Sequence, residues 1–261
     1  MRESWERRIE RAKRLALTDE AARPLLTFYA TVLGLQRDIA VGLTGSSSQL
    51  TGSLARDVNR LRPAVSSFLE AIERSGPVLL AREARALLLG PATARDGLLT
   101  AIWMNPSDRQ FVAKAVLQPY AETLADAGIA PADRPSSRAD NRCPFCGGVP
   151  QLSILHSSGD SLEGGGRALQ CATCLTVWPF RRVLCAQCGE EDEHKLGYFQ
   201  SPAFEHLRVD PCESCRHYLK SVDLTKLGIA IPLVDEVAGA SLDLWAQERG
   251  YKKIELNLVG L

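Results

Sequence analysis

Eight cysteines stand in this 261-residue chain, and every one belongs to a Cys-x-x-Cys pair: Cys143/Cys146, Cys171/Cys174, Cys185/Cys188 and Cys212/Cys215. Twenty-four residues separate the first pair from the second, 23 separate the third from the fourth, and only 10 lie between Cys174 and Cys185. Two such pairs brought together offer four soft thiolates in a tetrahedron, a donor set that suits Zn²⁺ or a single iron. The near-duplicate spacing predicts two consecutive centres, Cys143, Cys146, Cys171 and Cys174 holding one ion and Cys185, Cys188, Cys212 and Cys215 the other. Interleaved cross-bracing is the other pairing that the spacing admits. Four thiolates leave no open coordination position for water or substrate, which argues against hydrolysis at the metal. A closed iron site could still carry an electron, and a purely structural role for the metals is the plainest reading.

Other chemistries have less support. Exchange-active dithiols also use the Cys-x-x-Cys spacing, but four matched pairs exceed what they need. His156, His194, His206 and His217 accompany the cysteines. With the thiolate sets complete, these histidines fall outside the ligand shell, and His217, two residues past Cys215, is the best placed to orient a ligand. No nucleophile elbow, phosphate loop or His-Glu-x-x-His helix is present, Gly164 to Gly166 lacks a strand-to-helix context, and the carboxylates form no recognisable pair. The expectation is a protein that is not an enzyme.

The elements that must position these thiols fall into two regimes. Residues 1–130 read as helices: a stripe from Leu25 through Phe28, Tyr29, Val32, Ile39 and Leu43, opened by Pro24; a second helix from Pro63 to Gly76; a third over Val78 to Leu89; a fourth from Thr93 to Met104; and a fifth capped by Ser107 or Asp108, stopped by Gly128 and carrying Pro119. A Gly/Ser-rich loop spans Thr44 to Thr51, and residues 131–142 form a polar, proline-bearing linker. Beyond it, short alternating runs at Val149 to Leu155, Arg167 to Leu169, Val177 to Val183 and His217 to Val222 predict strands bounded by metal knuckles. Ser157 to Gly166 reads as a hairpin loop, and Glu190 to Glu193 as a solvated acidic turn. Gly147 and Gly189 directly follow the first knuckle of each repeat, where the tight turn favours glycine. Trp178, Phe180 and Tyr218 are expected to cover metal modules too small to be stable alone. Arg181 and Arg182 read as a solvated connector between the modules, with a contact for an acidic partner segment as the sharper alternative. A helical tail follows, with Asp235 as its cap, Val237, Leu242, Leu244 and Trp245 apolar, and Gly250 as its stop.

The fold class is therefore α+β: an N-terminal all-helical domain (1–130), a linker (131–142), two tandem rubredoxin-like, zinc-ribbon-like modules (143–184 and 185–225) and a C-terminal helical tail (226–261). Net charge is zero, with 19 basic and 16 acidic residues up to Asp140 and 12 against 15 after it. Neither part has the basic surface that a nucleic-acid-binding zinc ribbon uses. The opening residues are too charged for a signal peptide, and no run of 18 uncharged apolar residues occurs, the best, Pro24 to Gln36, stopping at Arg37. A cytoplasmic location follows as an expectation, with reduced thiols free to bind metal instead of forming disulfides.

Several segments resemble the formate dehydrogenase accessory proteins of the FdhE family: Cys143-Pro-Phe-Cys-Gly147, Leu169-Gln-Cys-Ala-Thr-Cys174 with Trp178, Arg182-Val-Leu-Cys-Ala-Gln-Cys188, and Cys212-Glu-Ser-Cys-Arg-His-Tyr-Leu-Lys220. The tail from Asp235 to Asp243, with Gly250-Tyr251, is similar too, so the likeness runs from Arg142 to Tyr251. It implies a cytoplasmic maturation factor that binds the large catalytic subunit of a respiratory formate dehydrogenase before export. It also implies rubredoxin-type iron in the two cysteine centres, with zinc as the alternative. A groove between helices and metal modules would hold the immature subunit, with no nucleic acid and no membrane insertion; a homodimer is left open. The rival is a rubredoxin-like electron-transfer or thiol-redox protein acting on the dehydrogenase.

Overall fold

The computed structural model describes residues 3–45, 49–106, 110–134, 139–157 and 165–261. Six helices come first: α1 (Trp5–Thr18), α2 (Arg23–Thr44), α3 (Leu54–Ser75), α4 (Val78–Leu89), α5 (Ala92–Met104) and α6 (Phe111–Asp126). Pro24 sits in the first turn of α2, where its missing N–H costs nothing, and Gly76-Pro77 and Gly90-Pro91 punctuate α3, α4 and α5 as expected. α3 begins nine residues before Pro63, which lies inside it. Its start is held by Asp57, whose carboxylate accepts from the Thr51 backbone and hydroxyl and from the Tyr120 hydroxyl at 2.8–3.1 Å. The expected caps Ser107 and Asp108 lie outside the described residues, as do 158–164 of the β-hairpin loop, 135–138 of the linker and 46–48 of the Gly/Ser loop.

α1 has no expected counterpart: its apolar stripe of Trp5, Ile9, Ala12 and Ala16 is narrow and shares the inward face with buried arginines. Ser4 caps it, and Arg8 and Arg11 are buried beside Ala12 and Ala16. Arg8 reaches Glu122 on α6 at 2.5 and 3.0 Å. Arg11 makes a bidentate pair with Asp235 at 2.5 and 3.0 Å. Two guanidinium groups thus dock α1, each meeting a carboxylate it can fork.

The second half is a single sheet. β1 (Pro150–His156), β2 (Gly166–Cys171) and β3 (Val177–Phe180) form an antiparallel meander, and β4 (Phe199–Gln200), β5 (Leu207–Pro211) and β6 (His217–Asp223) form another. The two repeats join edge to edge through a parallel β1–β6 pairing, Leu152 opposite Lys220 through Leu155 opposite Asp223. The strand order is β3-β2-β1-β6-β5-β4. The first strand of one repeat therefore meets the last strand of the other, a head-to-tail join that leaves β3 and β4 as edges. Pro179 removes one donor from the β3 edge.

The tail folds as two helices, not one: α7 (Pro232–Ala238) and α8 (Ala240–Glu248), broken at Gly239, where an added Cβ would lie 2.6 Å from Leu207. Asp235 is not the cap, since Ile231 holds that position; its carboxylate reaches back to the Ile231 N–H at 2.8 Å while binding Arg11 and His206. Gly250 ends the tail at φ 77°, and β7 (Lys252–Lys253) then pairs parallel with the start of β6.

One apolar core runs from the helices into the first module, where Leu169, Trp178, Phe180 and all four sulfurs of the first cysteine set join it. A smaller core of Leu207, Val209, Tyr218, Val222, Leu242 and Ala246 lies between the second repeat and α8. The expected groove between helices and metal modules is replaced by direct contact: Gln118 of α6 donates to the Ala172 carbonyl at 3.0 Å. The cavity lined by Trp103, Gln118, Ala172 and Thr173 holds about 30 Å³, too little for a polypeptide segment.

Candidate metal centres

The sulfurs gather in the sequential grouping, not the cross-braced one. Cys143, Cys146, Cys171 and Cys174 form one cluster and Cys185, Cys188, Cys212 and Cys215 the other, each with all sulfurs within 4.8 Å of one another. Across the first, Cys143–Cys174 and Cys146–Cys171 stand 3.5 Å apart; across the second, Cys185–Cys215 and Cys188–Cys212 stand 3.8 and 3.7 Å apart. A disulfide requires about 2.05 Å. A metal at the usual sulfur distance of about 2.3 Å gives a tetrahedral edge of about 3.8 Å. The donor set, number and spacing fit a four-thiolate ion.

Local backbone explains the convergence. In all four knuckles the first cysteine N–H donates to the carbonyl five residues on, namely Gly148, Thr176, Glu190 and His217, at 2.8–2.9 Å. The residue after each second cysteine turns left-handed: Gly147 (φ 69°), Leu175 (φ 58°), Gly189 (φ 78°) and Arg216 (φ 56°). Thr173 N–H points at Cys171 Sγ (3.3 Å), Gln187 N–H at Cys185 Sγ (3.4 Å), and the Thr176 hydroxyl lies 3.2 Å from Cys174 Sγ. The two backbone N–H donors favour thiolate over thiol at Cys171 and Cys185. Hydrogen bonds from Cys146, Cys171 and Cys174 hold the Cys143 sulfur far below the ordinary thiol range, while burial pushes Cys171 well above it. Four sulfurs this close cannot all ionise unless a cation joins them.

No histidine enters either cluster. His217 turns its Nδ1 to the Cys215 carbonyl at 2.8 Å, steadying the fourth knuckle from behind, and His206 binds Asp235 at 2.9 Å. Trp178 covers the first module with its indole N–H on the Asp140 carbonyl (2.9 Å), and Asn141 donates to Ala186 in the third knuckle (2.9 Å). Arg181 pairs with Glu191 in solvent. Glu190 is more than a solvated acid: it accepts the Ser214 hydroxyl, which ties the third knuckle to the fourth and, with the Asp192 N–H, holds its carboxyl at about 2.

Two groups escaped the sequence reading. Arg167 is buried at the junction of the repeats, where it donates to the carbonyls of Arg182 and Leu184 at 3.1–3.2 Å and stacks on Phe180. Beneath α7 and α8 lies a fully buried knot of Lys220, Lys253, Glu236 and Asp243. The tail segment containing Glu236 and Asp243 was the only sign of it, because a lysine in a strand pattern ordinarily faces water.

The family described as "FdhE, C-terminal domain" matches residues 183–259. A protein FdhE homolog from Aquifex aeolicus is 37% identical over 151 residues, covering 58% of this chain and 52% of that protein, so the match spans about half the relative's length. Homologs from Shewanella oneidensis (24% identical, 88% of this chain and 74% of the relative) and Edwardsiella ictaluri (26% identical, 95% and 86%) align over most of the sequence. The crystal structure of the FdhE protein from Pseudomonas aeruginosa superposes with a TM-score of 0.75 at 21% identity, over 99% of this chain and 97% of that one, which establishes a shared fold. The chain is thus similar to FdhE proteins over its C-terminal half at the level of sequence, and shares their fold over its full length.

Proposed function

We propose that the chain is a non-enzymatic accessory factor in the cytoplasmic maturation of a respiratory formate dehydrogenase, that it binds the catalytic subunit before export, and that each cysteine set holds one metal ion. The carrying observation is the pair of coordinatively complete four-sulfur clusters in a chain similar to the FdhE proteins. Such clusters would crosslink the knuckles and stiffen a binding surface, but they offer no vacant position at which a substrate could be activated. The eight cysteines act as ligands in this reading; iron and zinc both satisfy the donor set. No described helix is long and apolar enough to cross a membrane.

The test is twofold. A tagged chain purified anaerobically from cells making formate dehydrogenase should retain the catalytic subunit and carry two metal ions. A deletion strain should lose formate dehydrogenase activity and regain it with the wild-type gene. Normal dehydrogenase activity in the deletion strain would overturn the proposal. An absorption spectrum that bleaches reversibly on reduction would move it toward electron transfer.

A further inference from the structure

The two centres share ligands and knuckle geometry but not surroundings. Cys143, Cys146, Cys171 and Cys174 are all at most 2% exposed and belong to the main apolar core. α6 closes over their second knuckle through Gln118, and Gly148 presses its backbone against Cys171 and Cys146. In the second centre Cys188 is exposed and Cys215 half-buried, and none of its sulfurs joins an apolar core. Its knuckles are tied mainly by polar contacts, Asn141 to the Ala186 carbonyl, Ser214 to Glu190 and the Glu213 N–H to the Lys195 carbonyl, and the adjoining edge strand β4 has two residues.

We propose that the second centre is a metal-exchange site, which passes its ion to an incoming thiolate at the open side of Cys188 while the first centre keeps its own. The inference rests on the reading that both cysteine sets hold metal. Ligand exchange at a closed tetrahedral ion proceeds when a fifth donor approaches the metal, so access decides which centre reacts. The incoming thiolate forms a metal–sulfur bond, and the bond from the metal to Cys188 Sγ breaks. Cys188 keeps the electron pair and takes up the proton that the incoming thiol released. No electron is transferred, so no oxidant or reductant is needed. At the first centre the same approach would require displacing α6 or opening the core around it.

The experiment uses the full chain loaded with Zn²⁺, after metal analysis has established two ions per molecule. Glutathione is added with a chromogenic chelator that reports released zinc, and samples are alkylated and mapped by mass spectrometry. One equivalent should leave at a rate that rises with glutathione concentration, and the second roughly ten-fold more slowly or less. Alkylation during the first phase should fall on Cys188 and Cys215 and spare Cys143, Cys146, Cys171 and Cys174. Ser214→Ala, which unlatches Glu190 without touching a ligand, should speed the first phase alone. Release of both ions at one rate, first-phase labelling of the buried set, or a first phase indifferent to glutathione would overturn the proposal. Fewer than two ions at the outset would instead sink the two-centre reading on which it stands.

Discussion

At Gly148 one hydrogen atom is all that fits between backbone and sulfur. An added Cβ would lie 2.9 Å from Cys171 Sγ, 3.1 Å from Thr173 Oγ1 and 3.2 Å from Cys146 Sγ, closer than carbon and sulfur pack. The glycines that leave the knuckles are under a different constraint. Gly189 adopts φ 78° with nothing within 4 Å of a would-be Cβ, and Arg216 fills the equivalent turn with a side chain. Left-handed backbone costs an ordinary residue about 1–2 kcal/mol, which a folded knuckle can absorb. Gly148→Ala should therefore cut bound metal from two ions per chain toward one, while Gly189→Ala should keep both and lower stability by about 1 kcal/mol. Metal analysis beside a denaturant melt separates the two. Equal metal contents would show that the crowding at Gly148 is relieved by movement of the knuckle.

The elements of the tail are held to the sheet by charge as much as by apolar contact. Lys220 of β6 meets Glu236 (3.2 Å), Asp243 and the carbonyls of Glu236 and Gly239, while Lys253 of β7 meets Glu236, Asp243 (3.1 Å) and the Leu261 carbonyl (2.8 Å). Two ammonium groups against two carboxylates leave no net charge, the condition under which such burial is tolerated. Burial works against the charged form of Glu236, but Lys220 and Lys253 outweigh it and hold the carboxyl at about 2. That value lies below the ordinary 4.5, so this stabilisation is complete above about pH 4.5 and is lost as pH falls toward 2. Glu236→Gln should cost about 3–5 kcal/mol, because it strands a buried cation, and should flatten the acid limb of the stability profile. Urea melts from pH 7 to pH 3 would check both; a variant with the wild-type pH profile would refute the assignment. The knot also marks where reading the sequence reached its limit. Helices punctuated by Gly and Pro, such as α4 and α5, and strands flanking cysteines, such as β1 and β6, are legible from local pattern. Arg8, Arg11 and Lys220 are buried only because partners more than a dozen residues away in the chain neutralise them, so their burial could not be read from local pattern. β4 and β7, two residues each, are too short to establish an alternation, whereas β5 does alternate, with Leu207, Val209 and Pro211 buried, a signal that escaped the sequence reading.

Across the whole molecule, the two centres occupy mechanically unequal positions. The first lies in the core that also holds α2, α3 and α6, whereas the second borders a sheet edge and a smaller core beneath α8. The sequence shows two near-equivalent repeats, and a one-residue difference in spacing does not tell which is buried. The inequality arises from the β1–β6 join and from α6, which covers only one repeat, and both are long-range consequences of the fold. Losing a cysteine should therefore propagate differently. Cys171→Ser removes a sulfur that is 0% exposed, and opening that cluster disturbs the packing of the helical half. Cys188→Ser alters an exposed thiol on turn backbone. Amide hydrogen exchange should show α6 deprotected by Cys171→Ser and unchanged by Cys188→Ser, with the latter confined to the third and fourth knuckles and β4. If both variants loosen the same amides, the two centres act as one cooperative unit and the division drawn from their burial is wrong. If α6 stays protected in both, the helical half holds together without the first metal, and the sulfurs line its core without supporting it.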